Sequence, residues 1–221
     1  MYTTQNLFDL SHSLAGDYLG NFRYPHEALA GIKDLILSLI PTLSDDYLVY
    51  GEDIRIHKSV TVAPTASISG PCIIGADTEL RPGAFIRGSV LIGEGCVVGN
   101  STEIKNAILF DSVQVPHFNY IGDSILGYKA HFGAGSVTSN VRSDKQNVVI
   151  HTPEKIYTNR KKVGAMVGDR AEIGCNAVLN PGAVIGRNAM VYPTACVRGV
   201  VPPDYIWRLN NTIIPRRATE S

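Results

Sequence analysis

One aliphatic residue recurs every six positions in the first half of the chain, and this period constrains the fold more than any other feature. The repeated positions are Ile56, Val62, Ile68, Ile74, Leu80, Ile86, Ile92, Val98 and Ile104, followed later by Val167, Ile173, Leu179, Ile185, Val191 and Val197. Four positions after most of them stands a short side chain, such as Ala66, Cys72 or Ala84. A six-residue repeat is typical of a parallel β-helix, in which one aliphatic side chain per strand fills the interior. The sequence therefore predicts an all-β solenoid.

The segments on either side of the repeat have a different pattern. Apolar residues at helical spacing predict helices over residues 4–20 and 25–40. Because the first coil of a solenoid exposes its interior, we expect residues 1–50 to form a helical cap over that coil, or else a dimerisation or docking arm. The repeat domain is predicted to span residues 51–203. Residues 204–221 are expected to form a C-terminal cap, with a short helix over Tyr205–Leu209, and a polar, basic tail.

Composition narrows the class of protein. Charged residues make up 18% of the 221 residues and the formal net charge is zero, which argues against a nucleic-acid partner. The first residues contain neither a basic nor an apolar signal region, and no apolar run is long enough to cross a bilayer. Cys72 and Cys96 occupy the short interior position of the repeat, and no CxxC spacing predicts zinc. We expect a soluble, cytoplasmic protein with reduced thiols and no membrane partner.

The repeat is irregular at two kinds of place. Its register slips by one residue after Ile104 and again after Ile121. Residues 139–162 then form a loop with no repeat, and loops of this length in a compact domain are usually functional. The loop contains six Lys or Arg residues against two acidic ones. This charge excess favours a phosphorylated ligand, although a solvated loop with ordinary surface lysines explains it equally well.

Four motifs in the repeat occur in a fixed order. They read Leu80-Arg-Pro-Gly-Ala84, Glu103-Ile-Lys-Asn106, His117-Phe-Asn-Tyr-Ile-Gly-Asp123 and Gly133-Ala-Gly-Ser-Val-Thr-Ser-Asn140. Residues 56–203 thereby resemble the C-terminal acetyltransferase domain of the bifunctional uridyltransferase and glucosamine-1-phosphate acetyltransferase of bacteria. The resemblance implies a left-handed β-helix, a homotrimer with active sites between neighbouring subunits, and acetyl-CoA as acetyl donor. It also implies an amino sugar phosphate such as glucosamine-1-phosphate as acceptor, and no metal.

The resemblance also implies roles for individual residues. His117 corresponds to the catalytic base, which suits a side chain that titrates near neutral pH. The positions implied for the sugar phosphate are Arg81, Glu103, Lys105, Tyr120, His131, Asn140 and Lys145. His131 stands where the family usually has an asparagine that touches the sugar, and Lys145 aligns only with a one-residue gap. Ala134, Cys175 and Pro193 correspond to positions that contact the pantetheine arm of acetyl-CoA.

The spacing of the repeat predicts how these residues stack. With three strands per coil, Leu80, Val98, Val115 and Phe132 lie above one another, which places Arg81 and His117 at the same edge. Departures in the loop leave the acceptor open among other amino sugar phosphates and nucleotide-linked amino sugars.

Three alternatives to this function stay open. One is a non-catalytic trimeric scaffold, and another is an acyltransferase with a different donor or acceptor. The third is a γ-class carbonic anhydrase, with His117 and His131 near one edge and His151 swung in to complete a zinc site.

Overall fold

The computed structural model describes residues 2–152 and 154–216, and in it the chain forms a parallel β-helix with three faces and about eight turns. The strands of the first face are Ile54–His57, Cys72–Ile74, Val90–Ile92, the second half of Glu103–Leu109, the second half of Tyr120–Leu126, Ala165–Val167, Ala183–Ile185 and Val200–Val201. Those of the second face are Thr61–Val62, Glu79–Leu80, Val97–Asn100, Gln114–His117, His131–Phe132, Glu172–Ile173, Met190–Val191 and Tyr205–Trp207. Those of the third face are Ser67–Ser69, Phe85–Arg87, the first halves of Glu103–Leu109 and Tyr120–Leu126, Val137–Thr138, Val178–Leu179 and Cys196–Val197. The all-β solenoid predicted from the repeat is confirmed.

The repeated aliphatic residues fill the interior of the coils. Leu80 and Val98 are partners on neighbouring strands, as are Val98 and Val115, and all three side chains are fully buried. Cys72 and Cys96, at the short position, are also fully buried, and burial raises the pKa of the Cys96 thiol to about 12. The predicted stacking of the repeat is therefore confirmed, because each coil places its aliphatic residue over that of the coil before.

Both register slips fall at one corner, where the third face turns into the first. The two strands that round this corner, Glu103–Leu109 and Tyr120–Leu126, are continuous, and Asn106 and Asp123 take left-handed backbone angles in the turn (φ 48° for each). Other coils use one more residue here, for example Gly88 and Ser89, which both have positive φ. The corner is shortened by one residue in two successive coils. This shortening causes the two register slips in the six-residue repeat.

The N-terminal segment is less helical than its pattern predicts. Its α-helices are Thr4–Leu7, Gly16–Gly20 and Ile32–Leu39, and its 3₁₀ turns are Leu10–His12, Pro25–Ala30 and Ile40–Thr42. The prediction of two continuous helices over 4–20 and 25–40 is wrong. Short helices are marginal by themselves, and these follow the surface of the β-helix in short pieces. None of the described helices is long and apolar enough to span a membrane.

The same segment lies along the side of the β-helix instead of over its first coil. Ile32–Leu39 packs on the first-face strands of the third and fourth coils. Phe8 lies against Phe110, with ring centroids 5.1 Å apart, and the Asp169 carboxylate accepts a hydrogen bond from the Asp9 amide at 2.7 Å. The helices therefore cover the first face lengthwise and not the first coil, while the strand Tyr47–Gly51 pairs in antiparallel register with Ile54–His57 at the open edge of that coil.

The C-terminal region also differs from the prediction. Tyr205–Trp207 is a strand that pairs in parallel with Met190–Val191, and Ile213–Pro215 folds back against it in antiparallel register. The helix predicted over Tyr205–Leu209 is wrong, and the β-helix continues past residue 203 into one further second-face strand. The end of the predicted basic tail, residues 217–221, lies outside the described residues.

Loop 139–162 inserts at the shortened corner. Its base is closed by a bridge between Val141 and Lys162, and the Val163 amide returns to the Asn140 carbonyl at 3.0 Å. Inside the loop, Val149–His151 and Lys155–Tyr157 pair as an antiparallel hairpin. The insertion therefore leaves the stacking intact, because Ile125 before it pairs directly with Met166 after it.

Candidate functional site

One column of exposed positions follows the corner between the second and third faces. The Gly135 amide donates to the His117 carbonyl at 3.0 Å, and the Asn176 and Thr194 amides donate to the Ala134 and Cys175 carbonyls, both at 2.8 Å. These three rungs place His117, Ala134, Cys175 and Pro193 one above another in successive coils, about 4.8 Å apart. His117, Cys175 and Pro193 are exposed and Ala134 is half-buried. We call this set the corner column, and it begins at the His117 imidazole.

Asn119 holds the start of this column in place. Its side-chain oxygen accepts from the His117 amide at 3.1 Å, and its side-chain nitrogen donates to the Gly133 and Ser136 carbonyls at 2.9 and 3.0 Å. The side chain is almost fully buried, so these bonds are shielded from water. Asn119 thus ties the backbone of His117 to the turn that contains Ala134.

The third face carries a polar cluster next to the corner column. Its members are Arg87, Glu103, Lys105, Tyr120, Asp123 and Asn140, and we call it the third-face cluster. Asp123 is its centre: the carboxylate is buried, accepts from the Asn140 amide at 2.5 Å and from the Asn106 amide at 2.9 Å, and lies 3.8 Å from the Lys105 ammonium. Burial of a carboxylate is tolerated only with such partners, so the cluster has one fixed arrangement.

The rest of the cluster extends from Asp123 along the face. The Tyr120 hydroxyl accepts from the Asn140 amide at 3.2 Å, while partial burial and the nearby Asp123 charge raise the pKa of the phenol. Tyr120 is the strand partner of Glu103, whose carboxylate binds the Arg87 guanidinium at 2.6 Å. Four residues predicted for the sugar phosphate, Glu103, Lys105, Tyr120 and Asn140, are thus brought onto one surface.

Arg81 and His131 lie on the second face, away from this cluster. Arg81 is two coils from His117 at the same end of the face, and its guanidinium contacts Glu79 at 3.1 Å. His131 pairs with Gln114 at the other end of the face, and its ring lies 2.9 Å from the Glu172 carboxylate, which raises the pKa of His131. Within one chain, the predicted acceptor residues are therefore divided between two faces.

Two further expectations concern His131 and Lys145. The expectation that His117 and His131 share an edge is wrong, because His131 is aligned with Gln114, three residues before His117. In residues 2–152 and 154–216, no group of three His, Cys, Asp or Glu side chains is arranged to hold a metal ion. Lys145 is exposed in a turn of the loop, where its backbone amide donates to the Arg142 carbonyl. The structure therefore places Lys145 on the loop surface and does not join it to the third-face cluster.

Asp123, Asn119 and Arg87 were not assigned roles by sequence reasoning. Asp123 has a signal that points to it, because both register slips fall at the corner where Asn106 and Asp123 stack. Asn119 and Arg87 have no comparable signal, since their partners lie one coil away and only the register of the folded chain brings them together.

Comparison with known proteins shows which family the chain belongs to. A sequence model of the GMPPB C-terminal domain matches residues 68–163. An Escherichia coli K12 protein named putative uncharacterized acetyltransferase YaiX is 33% identical over 192 residues, which are 77% of this chain and 82% of that protein. The chain belongs to the hexapeptide-repeat acetyltransferase family.

Other similarities are partial. The bifunctional protein GlmU of Methanococcus maripaludis strain C5 is 31% identical over 137 residues, so the chain spans about a third of that relative, 33% of its length. The solved structure of PerB from Caulobacter crescentus, in complex with CoA and GDP-perosamine, is 20% identical with a TM-score of 0.37. The match covers 69% of this chain and 52% of that one.

Proposed function

We propose that this hexapeptide-repeat acetyltransferase transfers the acetyl group of acetyl-CoA to the amine of an amino sugar, with an amino sugar phosphate such as glucosamine-1-phosphate as the first acceptor to test. The observation that carries the proposal is the placement of the exposed His117 at the start of the corner column, three residues before Tyr120 of the third-face cluster. The column offers a line of stacked positions for a pantetheine arm, and the cluster offers amide, hydroxyl and ammonium groups for a polar acceptor.

In this mechanism the amine attacks the thioester carbonyl while His117 takes the proton that the nitrogen loses. The tetrahedral intermediate collapses, the carbon–sulfur bond breaks, and CoA leaves as a thiol after protonation. An imidazole suits both transfers, because it can accept a proton at one step and donate it at the next. Asn119 fixes the backbone of His117 relative to Ala134, so the base and the thioester are oriented by one side chain.

The division of residues between two faces supports a trimer as the active form. If the second face of one copy meets the third face of its neighbour, Arg81 and His131 approach Lys105 and Tyr120 across the boundary. Arg81 and Lys105 then bind the phosphate of the acceptor, one through a planar donor fork and one as a point charge. The proposal includes the left-handed sense of the coil that the family resemblance implies.

The experiment is thiol release from acetyl-CoA, with mass spectrometry of the product, for glucosamine-1-phosphate, other amino sugar phosphates and UDP-linked amino sugars. Release with an N-acetylated product from any of these supports the proposal and ranks the acceptors. If acetyl-CoA gives neither turnover nor measurable binding in calorimetry, the function is wrong and a non-catalytic scaffold becomes the better account.

A further inference from the structure

A polar cavity of about 320 Å³ lies on the third face beneath the loop. Ser139, Asn180 and Arg198 line one side of it. They occupy equivalent positions in successive coils, because the Ser139 amide donates to the Leu179 carbonyl and the Asn180 amide to the Val197 carbonyl. Pro181 and the rest of the loop line the remainder, the loop through Arg142 to Asp144 on one limb and His151 on the other. The cavity adjoins Asn140 of the third-face cluster but contains none of the residues that the family resemblance implies.

Of the two guanidinium groups at the cavity, only one is paired with a carboxylate. Arg142 is bound to Asp144 through two hydrogen bonds, so this pair is close to neutral. Arg142 holds the pKa of the Asp144 carboxyl low, at about 2, which keeps it ionised at neutral pH. In the part of the chain that the structure describes, no carboxylate lies within 4.0 Å of the Arg198 guanidinium.

The Asn180 amide offers the cavity no donor, because both of its protons are used, toward the Val197 carbonyl at 2.9 Å and the Cys196 sulfur at 3.0 Å. The Ser139 and Ser143 hydroxyls make no hydrogen bond within residues 2–152 and 154–216, and they are free to donate into the cavity. An unpaired guanidinium with two hydroxyls beside it suits phosphate oxygens, which accept but do not donate at neutral pH.

We propose that this cavity binds a phosphate or diphosphate group through Arg198, Ser139 and Ser143. It deepens the proposed function, on which it rests for the identity of the molecule that carries the group. Because the cavity begins one residue from Asn140, it adjoins the third-face cluster, and the group it takes is a phosphoryl group of acetyl-CoA or of a nucleotide-linked acceptor, separate from the sugar phosphate proposed at Arg81 and Lys105. Asp144 competes with the ligand for Arg142, so the loop tunes the strength of the site.

The binding test uses inorganic pyrophosphate and isothermal titration calorimetry on the full chain. Arg198→Gln should weaken pyrophosphate binding by about 10-fold or more, because a charge-assisted hydrogen bond is lost. Asp144→Asn should tighten it, because Arg142 is released. Lys33→Gln, which removes one exposed charge on Ile32–Leu39, is the control and should leave binding unchanged. Opposite effects of the first two variants do not arise from misfolding. Equal affinity in wild type and Arg198→Gln, or no binding to wild type, overturns the proposal.

The KM values of the Arg198→Gln variant identify which substrate carries the phosphoryl group that the cavity binds. If Arg198→Gln raises KM for acetyl-CoA but not for S-acetyl-pantetheine, the phosphoryl group belongs to the donor. If it raises KM for a nucleotide-linked amino sugar, the group belongs to the acceptor. If no KM changes, the cavity is not a substrate subsite and the proposal fails. If pyrophosphate binds and the two variants change its affinity as expected, the phosphate site is supported even where no acetyl transfer is found. Failure of the proposed acetyl transfer can therefore be told apart from failure of the proposed phosphate site.

Discussion

Asp123 decides the geometry of the third-face cluster. Its carboxylate is buried and uses its two oxygens for two different amides, from Asn106 and Asn140, while Lys105 supplies the countercharge. Asn106 also donates to the Leu29 carbonyl at 3.3 Å, so the same carboxylate links the cluster to the N-terminal segment. A single side chain therefore couples the candidate acceptor site to the packing of the chain.

Asp123→Asn should both destabilise the fold and weaken acceptor binding. An amide has one acceptor oxygen where the carboxylate has two, so one of the two donor amides loses its partner. We expect a loss of about 1–3 kcal/mol in the free energy of unfolding, measured by urea titration, and a rise in acceptor KM with little change for acetyl-CoA. Asp77→Asn is the control, because Asp77 also has left-handed backbone angles but is exposed. Equal effects of the two substitutions would show that Asp123 has no special role.

His131 gives the fold a pH dependence with a defined sign. The hydrogen bond to Glu172 raises the pKa of His131 above its ordinary value, so the folded state binds the proton more tightly than the unfolded state. The stabilisation is complete below the ordinary value, near pH 6.5, and is lost as pH rises through the raised value. Wild type should exceed His131→Gln in melting temperature by more at about pH 5.5 than at about pH 8.5. The difference is small because both side chains are partly exposed, and it should vanish in a Glu172→Gln background.

The first face explains why the N-terminal segment lies where it does. Its strands carry an apolar residue at the outward middle position, as in Ile73, Leu91, Ile108, Ile125, Met166 and Val184, and all six are buried. The outward positions of the second face include Glu79, Gln114 and Glu172 instead. A face with this composition needs a cover, and the apolar side chains of residues 2–40 provide it.

This contrast also shows where sequence reasoning succeeded and failed. The interior of the coils was predictable because one residue type recurs at a fixed spacing, and each coil imposes the same steric demand. The helices over 4–20 and 25–40 were mispredicted because the apolar spacing of these residues fits a series of short α-helices and 3₁₀ turns as well as one regular helix. Tyr205–Trp207 was mispredicted because its strand pairing with Met190–Val191 depends on a neighbour in space. The candidate site residues came from motifs, whereas Asn119 and Arg87 needed the register of the folded chain.

Phe8→Ala tests whether the N-terminal segment is an integral part of the fold. Phe8 is 2% exposed and packs on Phe110, so we expect a loss of about 3–5 kcal/mol in the free energy of unfolding. The measurement is a urea titration followed by circular dichroism. Leu14→Ala is the control, since Leu14 is 48% exposed and should change stability little. Loss of stability equal to that of Leu14→Ala would mean that the segment is only loosely attached.

Assembly of several copies is needed to complete the proposed site. Arg81 belongs to the second face and Lys105 to the third, and the faces of a prism point in different directions. We propose that they meet in one site across the boundary between two chains. The oligomer is then a condition of activity, which separates this proposal from one in which each chain acts alone.

Mixing two inactive variants tests this arrangement directly. Arg81→Ala and Lys105→Ala homotrimers should each bind the acceptor phosphate poorly. Trimers formed after co-expression should recover about a quarter of wild-type activity, because random assembly pairs an intact second face with an intact third face at that frequency. Size-exclusion chromatography with light scattering tests whether the assembly is a trimer. Absence of recovery in mixed trimers would show that Arg81 and Lys105 act from the same chain, which contradicts a site shared between two chains.

The central claim is that His117 is the base for acetyl transfer, and His117→Ala tests it most directly. The side chain is exposed, so its removal should leave the fold and the assembly unchanged. Thiol release from acetyl-CoA, measured with the best acceptor, should fall by about 10²–10⁴-fold in turnover number, while calorimetry shows unchanged acetyl-CoA binding. Turnover equal to wild type in the folded variant would contradict the account.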